Sequence, residues 1–226
     1  NGSVILYPMF ANNRRRERRL DLIDALRSHF EITEVFEELL SFESHQKFLE
    51  GTGSLILDRE QQIAYASYSD RTEQEVIRAF EDLTAYTVIG FKAYQNVDGQ
   101  RLPIYHTNVM MSIGDHFALI CAEAIDDVME REQVLETLRK QSKEIILISE
   151  YQLNNYAGNI LQVKNKNNVC FIVMSTNAFR SLNPHQKQQL EKHGTLLHSN
   201  LTTIEMLGGG SARCMMAEIF LLTKES

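Results

Sequence analysis

One continuous stretch, residues 109–149, decides the fold class and contains VMMSIGDHFALICAEAIDDVMEREQVLETLRKQSKEIILIS. Two short apolar runs, 109–113 and 116–122, predict strands. A pair of aspartates then opens a charged segment, 126–140, which predicts a capped helix. A third apolar run, 144–149, predicts another strand. The stretch is therefore a unit of two strands, a helix and a strand.

Similar segments recur outward from this stretch in both directions. Further apolar runs predict strands at 3–9, 54–57, 62–67, 87–94, 160–163, 169–174 and 212–223. Charged segments predict further helices at 14–29, 72–83 and, after Asn183-Pro184, 184–193. The helices start near residues 14, 73, 126 and 184, so successive starts differ by 59, 53 and 58 residues. This period predicts an α/β or α+β fold with three to five copies of one unit about an axis.

Composition restricts the class of protein. The 226 residues, 43 % of them hydrophobic and 23 % charged, predict one globular domain spanning 1–226, without a linker. A net charge of -7 argues against nucleic acid as the main partner. No apolar run reaches the roughly 18 residues of a membrane-spanning helix, so no membrane partner is expected. Three widely spaced cysteines favour a reducing, cytoplasmic location. The chain opens on Asn1-Gly2 without an initiator methionine, and we expect a natural segment ahead of it.

A glycine-rich segment near the end of the chain, LGGGSARCMM at 207–216, presents Cys214. Three successive glycines allow backbone conformations that other residues avoid. Beside Arg213, and at the start of the strand predicted at 212–223, Cys214 could be a nucleophile with a depressed pKa. The alternative is a small buried apolar residue after a simple turn. The segment is not a phosphate loop, because no Lys-Ser/Thr pair follows it.

Two further motifs combine polar chemistry with the ends of predicted elements. His106 lies in YHTN, just ahead of the strand predicted at 109–113, where a histidine can act as general acid and base or simply occupy a turn. The histidines and cysteines lack the spacing of metal ligands, and we expect neither zinc nor a cofactor. Arg71 in SDRT opens a helix, where a cation opposes the helix dipole. It either binds a carboxylate ligand or pairs with Asp70 or Glu75.

Taken together, these motifs resemble the guanidino-group-modifying enzymes of the pentein fold. That superfamily comprises arginine deiminases, amidinotransferases and dimethylarginine dimethylaminohydrolases. The chain is most similar to the bacterial amidinotransferase-like branch that includes citrulline hydrolases of the citrulline-utilisation type. The resemblance rests, in chain order, on PMFANNRRRER, LEGTGSLILD, YSDRT, YHTNVMMSIG, YAGNILQ and GGGSARCMMAE. It implies an α/β propeller of pseudo-fivefold ββαβ modules around a central active site, with the first module largely upstream of residue 1.

The resemblance also implies roles for particular residues. Cys214 would be the nucleophile and His106 the general acid and base. Arg71 would hold the α-carboxylate of an amino-acid substrate, and Arg15 would be a second clamp, with Arg14 as the open alternative. Asp70 stands where deiminases carry a glutamate that contacts the guanidinium. Glu50 belongs to the same substrate shell with its role open, as does Asn159 as a pocket residue in a region, 144–200, otherwise assigned to scaffold.

Two departures from the deiminase pattern bear on the substrate. Asn108 replaces the aspartate of His-x-Asp, and Gly53 replaces the aspartate of Glu-Gly-Gly-Asp. Both remove negative charge that would pair with a guanidinium, whereas an amide suits a neutral ureido group. We therefore predict a hydrolase that converts citrulline to ornithine through a covalent cysteine intermediate. The alternatives are an arginine deiminase, a dimethylarginine hydrolase, an amidinotransferase or a non-catalytic amino-acid-binding protein, and assembly into a homo-oligomer is left open.

Overall fold

A computed structural model describes residues 2–224 of the chain as an α/β structure. Its strands are β1 (Ser3–Ile5), β2 (Glu34–Phe36), β3 (Ile56–Asp58), β4 (Ile63–Ser67), β5 (Thr87–Phe91), β6 (Tyr94–Val97), β7 (Gln100–Pro103), β8 (Met111–Ile113), β9 (Phe117–Ile120), β10 (Glu144–Leu147), β11 (Leu161–Lys164), β12 (Cys170–Ser175) and β13 (Thr195–Ser199). Its α-helices are α1 (Leu20–His29), α2 (Gln74–Leu83), α3 (Val128–Lys140), α4 (Glu150–Asn154), α5 (Thr176–Ser181), α6 (Pro184–Glu191) and α7 (Thr202–Gly208).

The described chain contains three units of one topology. In each, two antiparallel strands are followed by helix and by a third strand parallel to the second: β3-β4-β5, β8-β9-β10 and β11-β12-β13. Ahead of them, β1 and β2 flank α1 and pair in parallel. The three units confirm the α/β class and the repeated strand-strand-helix-strand pattern. The pseudo-fivefold propeller and the upstream module remain predictions.

Two of the helices, α3 and α6, begin where their capping residues predict. Asp127 caps α3, its Oδ1 accepting from the backbone amides of Met129 at 2.7 Å and Glu130 at 3.0 Å. Asn183 and Gln186 form a reciprocal capping box at the start of α6, with Pro184 in the first turn. These contacts satisfy amide groups that have no partner within the helix. Both predicted helix starts are therefore confirmed.

The repeated units pack against one another through a buried hydrophobic core. Strand β9 is buried at all four positions, and large side chains such as Tyr65, Phe91 and Phe117 are almost inaccessible to solvent. Burial of such a side chain contributes roughly 1.5–3 kcal/mol each. The first strand of the middle unit, β8, contacts the first strands of both other units, β3 and β11. The segments that lead into these three strands are consequently brought together.

Two predicted elements are wrong. The helix predicted at 14–29 is broken into a 3-10 helix, Arg14–Glu17, and α1. The strand predicted at 212–223 does not form. The amides of Met215 and Met216 bond back to the carbonyls of residues 212 and 213, which folds this segment into a 3-10 turn that carries Cys214. Apolar side chains farther along are exposed, such as Phe220 at 58 %.

Several other elements are absent from the prediction or divided differently in the structure. The run 87–94 is split between β5 and β6, and β6 forms a hairpin with β7. Strand β2 has only three residues, and β13 is largely exposed. Neither sequence therefore shows the apolar alternation by which a strand is predicted. Helices α4, α5 and α7 have five to seven residues, which is too short for a periodic pattern.

Candidate active site

All the candidate catalytic residues except Cys214 lie in segments that lead into the first strands of the three units. Glu50 comes ahead of β3, and His106 and Asn108 come ahead of β8. Asn159 precedes β11, and Cys214 lies in the 3-10 turn after α7. Because β8 contacts both β3 and β11, the first three of these segments meet at one end of the strands. Hydrogen bonds with Asn159 and Asn108 bring Cys214 beside them. The repeated topology thus assembles a site from residues that are far apart in sequence.

Two carboxamides surround the thiol of Cys214. The Nδ2 of Asn159 donates to the Sγ at 3.1 Å, and the Oδ1 of the same side chain accepts from the Cys214 amide at 3.3 Å. On another side, the Oδ1 of Asn108 lies 3.8 Å from the Sγ. Asn159 also donates to the backbone carbonyl of Asn108 at 2.9 Å, which ties the two carboxamides together. Cys214 is exposed, so a ligand can reach the sulfur; the alternative of a buried apolar cysteine is wrong.

His106 is held by a carboxylate at the base of the site. Its Nε2 lies 2.6 Å from Oε2 of Glu50, whose side chain is 1 % exposed. The amide of Phe10 donates to the other oxygen of Glu50 at 2.9 Å. Gly53 lies directly beside the imidazole, because a Cβ atom at this glycine would come within 3.1 Å of the Nδ1 and Cε1 of His106. A side chain at position 53 would require the histidine ring or the carbonyl of Glu50 to shift by a few tenths of an ångström.

The surroundings of Glu50 keep it ionised. Burial by itself would raise the pKa of this carboxyl, but the hydrogen bonds from His106 and the Phe10 amide, with that of Arg71, lower the pKa to about 2. An ionised Glu50 is an acceptor and therefore holds a proton on the Nε2 of His106, which in the neutral ring selects the Nε2–H tautomer. The Nδ1 of that tautomer then carries a lone pair that can take up a proton.

Arg71 extends the site toward a cavity of about 650 Å³. Its Nη1 donates to the Oε2 of Glu50 at 3.2 Å, so its ion-pair partner is neither Asp70 nor Glu75, the two that the sequence indicated. The guanidinium lies 5.2 Å from the ring of Phe10 and is 30 % exposed. Arg71 and Asp70 both line the cavity, and Asp70 is exposed there. A ligand in the cavity could therefore reach the guanidinium.

The first 3-10 helix, Arg14–Glu17, carries Arg15, which the resemblance suggests as a second clamp. Arg15 donates to the carbonyl of Met9 at 3.0 Å and pairs with Glu43 at 3.4 Å. Its guanidinium lies 5.8 Å from the ring of Phe48, which itself packs on Phe10. Arg15 thus supports the same aromatic wall that Arg71 covers.

The neighbouring arginine has a different environment. Arg14 pairs with Glu17 at the surface, where both side chains are exposed. This difference favours Arg15 over Arg14 as the residue that faces a ligand.

Asn159 and Tyr105 also belong to the site, although the sequence indicated a catalytic role for neither. Asn159, the residue of the 144–200 region that the sequence offered as a pocket residue, contacts the sulfur directly. Tyr105 donates from its hydroxyl to the carbonyl of Gly209 at 2.5 Å, and its ring lies 5.0 Å from that of His106. Burial, with the nearby Cys214, raises the pKa of Tyr105 to about 12, so its hydroxyl stays a donor. In the sequence, these two residues are marked by the motifs that contain them, YAGN for Asn159 and YHTN for Tyr105.

Metal-binding clusters and membrane-spanning helices are absent from the described part of the chain. Residues 2–224 contain no group of three or more His, Cys, Asp and Glu side chains placed to hold a metal ion. None of the helices in this range combines the length and the apolar character needed to cross a bilayer.

Comparisons with known structures identify the fold. ArgZ, an arginine dihydrolase from the ornithine-ammonia cycle in cyanobacteria, is 18 % identical with a TM-score of 0.68, and the match covers 95 % of this chain and 29 % of ArgZ. AgrE, in complex with ornithine and NAD+, is 20 % identical with a TM-score of 0.66, and the match covers 99 % of this chain and 28 % of AgrE. This chain thus spans less than a third of either protein. At these identities, the similarity shows that this chain shares the fold of these pentein-type proteins.

A dimethylarginine dimethylaminohydrolase, solved as an adduct with 4-chloro-2-hydroxymethylpyridine, is 15 % identical with a TM-score of 0.57, and the match covers 97 % of this chain and 72 % of the enzyme. A search of curated proteins finds no match. The family model for eukaryotic N,N dimethylarginine dimethylhydrolase matches residues 1–221. That match spans nearly the whole sequence, and the chain therefore belongs to the eukaryotic-type N,N dimethylarginine dimethylhydrolase family, within the pentein superfamily.

Proposed function

We propose that the protein is a cysteine-dependent hydrolase that cleaves a C–N bond of an arginine-like amino acid, with citrulline as the substrate and ornithine as the product. The observation that carries this proposal is the arrangement around Cys214. An accessible thiol lies between two carboxamides, in the same site as a histidine whose Nε2 is fixed by a buried carboxylate. A nucleophile and a base with an orienting partner are the parts that covalent acyl-type transfer needs.

The first step forms the covalent intermediate. The Nδ1 of His106 takes the proton of the Cys214 thiol, and the resulting thiolate attacks the ureido carbon of citrulline, giving a tetrahedral adduct with negative charge on the former carbonyl oxygen. The adduct collapses with cleavage of the bond to the δ-nitrogen, which takes a proton from His106 and leaves as the amine of ornithine. The enzyme retains the carbamoyl group as a thioester on Cys214.

The second step regenerates the thiol. His106, now neutral, accepts a proton from water, which attacks the thioester carbon. Cleavage of the C–S bond releases carbamic acid, which decomposes to carbon dioxide and ammonia. Glu50 stays ionised during both steps and stabilises the imidazolium that forms on His106.

The carboxamides favour a ureido over a guanidino substrate. Asn108 can both donate to and accept from a neutral ureido group, whereas it cannot neutralise a guanidinium. An aspartate at position 53 would place its Cβ only 3.1 Å from the ring of His106, a tight contact that the ring would have to relieve by shifting. Glu50 is already engaged by His106, Arg71 and the Phe10 amide. These three features together support citrulline.

Arginine or a methylated arginine is the second candidate. Glu50 supplies a permanent negative charge at the base of the site, and a guanidinium could compete with Arg71 for it. With arginine, the same attack by Cys214 would expel ammonia and leave a thiouronium adduct, which water converts to citrulline. The family match and the arginine dihydrolase among the similar structures favour this candidate.

The deciding experiment offers citrulline, arginine and dimethylarginine in parallel to the full-length protein. Ammonia and ornithine are measured, with the Cys214→Ala variant as the blank. Ornithine from citrulline alone supports the proposal, and citrulline from arginine supports the second candidate. No turnover of any of the three overturns both and leaves an amidinotransferase, which needs an acceptor amine, or a binding protein.

Replacing Arg71 with alanine is expected to raise KM about 10- to 100-fold with little change in kcat. A charge-assisted contact to the substrate carboxylate forms in the ground state as well as in the transition state, so its loss weakens both equally. Steady-state kinetics on the confirmed substrate checks this. Arg14→Ala is the matched control, because that exposed arginine pairs with Glu17, and both constants should remain unchanged. A loss confined to kcat would show that Arg71 is not the carboxylate clamp.

A further inference from the structure

A buried glutamate lies on the short helix that leads into the glycine-rich segment. Glu205 is 5 % exposed, whereas its neighbours in α7, Ile204 and Met206, are 43 % and 74 % exposed. A carboxylate removed from water costs several kcal/mol unless it accepts hydrogen bonds. The contacts of Glu205 therefore indicate what its burial achieves.

Three segments of the chain converge on Glu205. Its Oε1 accepts from the hydroxyl of Ser211 at 2.7 Å, and its Oε2 accepts from the Nδ2 of Asn177, in α5, at 2.6 Å. The hydroxyl of Tyr156, ahead of β11, donates to its backbone carbonyl at 2.9 Å. Ser211 lies three residues ahead of Cys214 and is itself fully buried. Glu205 thus connects the scaffold to the segment that carries the thiol.

We call residues 209–213 the cysteine loop. It begins with Gly209, in the left-handed region at a φ of +67°, and Gly210, and neither residue has a side chain that could anchor it. The loop nevertheless packs tightly on the nucleophile, since a Cβ at Gly210 would lie 3.2 Å from the Sγ of Cys214. A small movement of this loop would therefore displace the thiol from the carboxamide of Asn159.

We propose that Glu205 is a positioning residue, which fixes the cysteine loop through Ser211 so that Cys214 stays against Asn159. This inference rests on the proposed role of Cys214 as the nucleophile. The partners of the carboxylate are a neutral hydroxyl and a neutral amide. The loop is therefore held by the placement of the two hydrogen-bond acceptors and not by the negative charge of Glu205. A glutamine can reproduce this positioning, because its oxygen can accept from Ser211 while Asn177 rotates its amide to accept from the new NH2 group.

The test compares Glu205→Ala with Glu205→Gln. We expect the alanine variant to lose about 100-fold in kcat, the order of effect of misplacing a reacting group by about 1 Å, with KM within about threefold because Arg71 is untouched. The glutamine variant should retain kcat within about fivefold. Glu191→Ala, which removes an exposed glutamate at the end of α6, is the control for a generic loss of negative charge.

A second readout does not depend on turnover. The rate at which iodoacetamide alkylates Cys214, followed by mass spectrometry of its peptide across pH, reports the environment of the thiol. In Glu205→Ala the profile should differ from that of the wild type, because the sulfur is no longer held against the Nδ2 of Asn159. The wild-type and Glu205→Gln profiles should coincide.

Each outcome bears on the inference. Wild-type kcat and alkylation in Glu205→Ala would overturn it. Equal losses of kcat in the alanine and glutamine variants would also overturn it, because they would show that the negative charge or the folding of the protein is what the substitutions affect. If the wild-type protein turns over none of the three compounds, the proposed function fails, but the alkylation profiles still decide whether Glu205 positions Cys214. A normal profile in the alanine variant would then overturn the inference independently.

Discussion

Cys214→Ala is expected to reduce turnover to the detection limit and to leave the protein folded. The sulfur forms the covalent bond in the proposed reaction, and a methyl group has no lone pair with which to replace it. Because Cys214 is exposed, its removal creates no cavity in the core. The change in the free energy of unfolding should therefore stay within about 1 kcal/mol.

The measurement is a single-turnover reaction quenched with acid, followed by mass spectrometry. Wild-type protein given citrulline should carry one carbamoyl group on the peptide that contains Cys214, and the variant should carry none. Cys170→Ala is the matched control, since this partly buried thiol at the start of β12 lies outside the site and its loss should preserve turnover. Activity above background in Cys214→Ala would refute the covalent route.

The residues that sequence alone could identify are those whose chemistry is unusual for their position. Cys214 beside three glycines, His106 ahead of a strand and Arg71 near a helix start each stand out within a few residues of sequence. The repeat of strands and helices was also visible, because capping residues such as Asp127 mark where helices begin. These features are local, and the structure brings all three residues to one region.

The partnerships between residues were not visible, because they connect distant parts of the chain. Glu50 and His106 are 56 positions apart, and their hydrogen bond depends on the contact between β3 and β8. Asn159 is 55 positions from Cys214, in a segment with no other functional signal. The false strand at 212–223 has a related cause, since an apolar run does not show that turn hydrogen bonds at Cys214 prevent an extended backbone.

Glu50→Gln is expected to lower kcat by about 100- to 10,000-fold, which is the range attributed to general acid-base catalysis. Both oxygens of Glu50 accept hydrogen bonds, one from Phe10 and the other from His106 and Arg71. A glutamine has one oxygen and an NH2 group, so at least one of these donors would face another donor. His106 would lose either its fixed orientation or its proton on Nε2, and with it the lone pair on Nδ1.

Acid titration separates this role from a general loss of stability. The pKa of Glu50 is about 2 in the folded protein, below the 4.5 of a free carboxyl, so its contacts stabilise the native state above pH 4.5 and are lost as the pH falls toward 2. At neutral pH the contribution is roughly 3 kcal/mol. Urea unfolding of the wild type and of Glu50→Gln should therefore converge in stability between pH 4.5 and 2. A constant difference across this range would mean that the carboxylate charge does not hold His106 and Arg71, and that the catalytic loss has another origin.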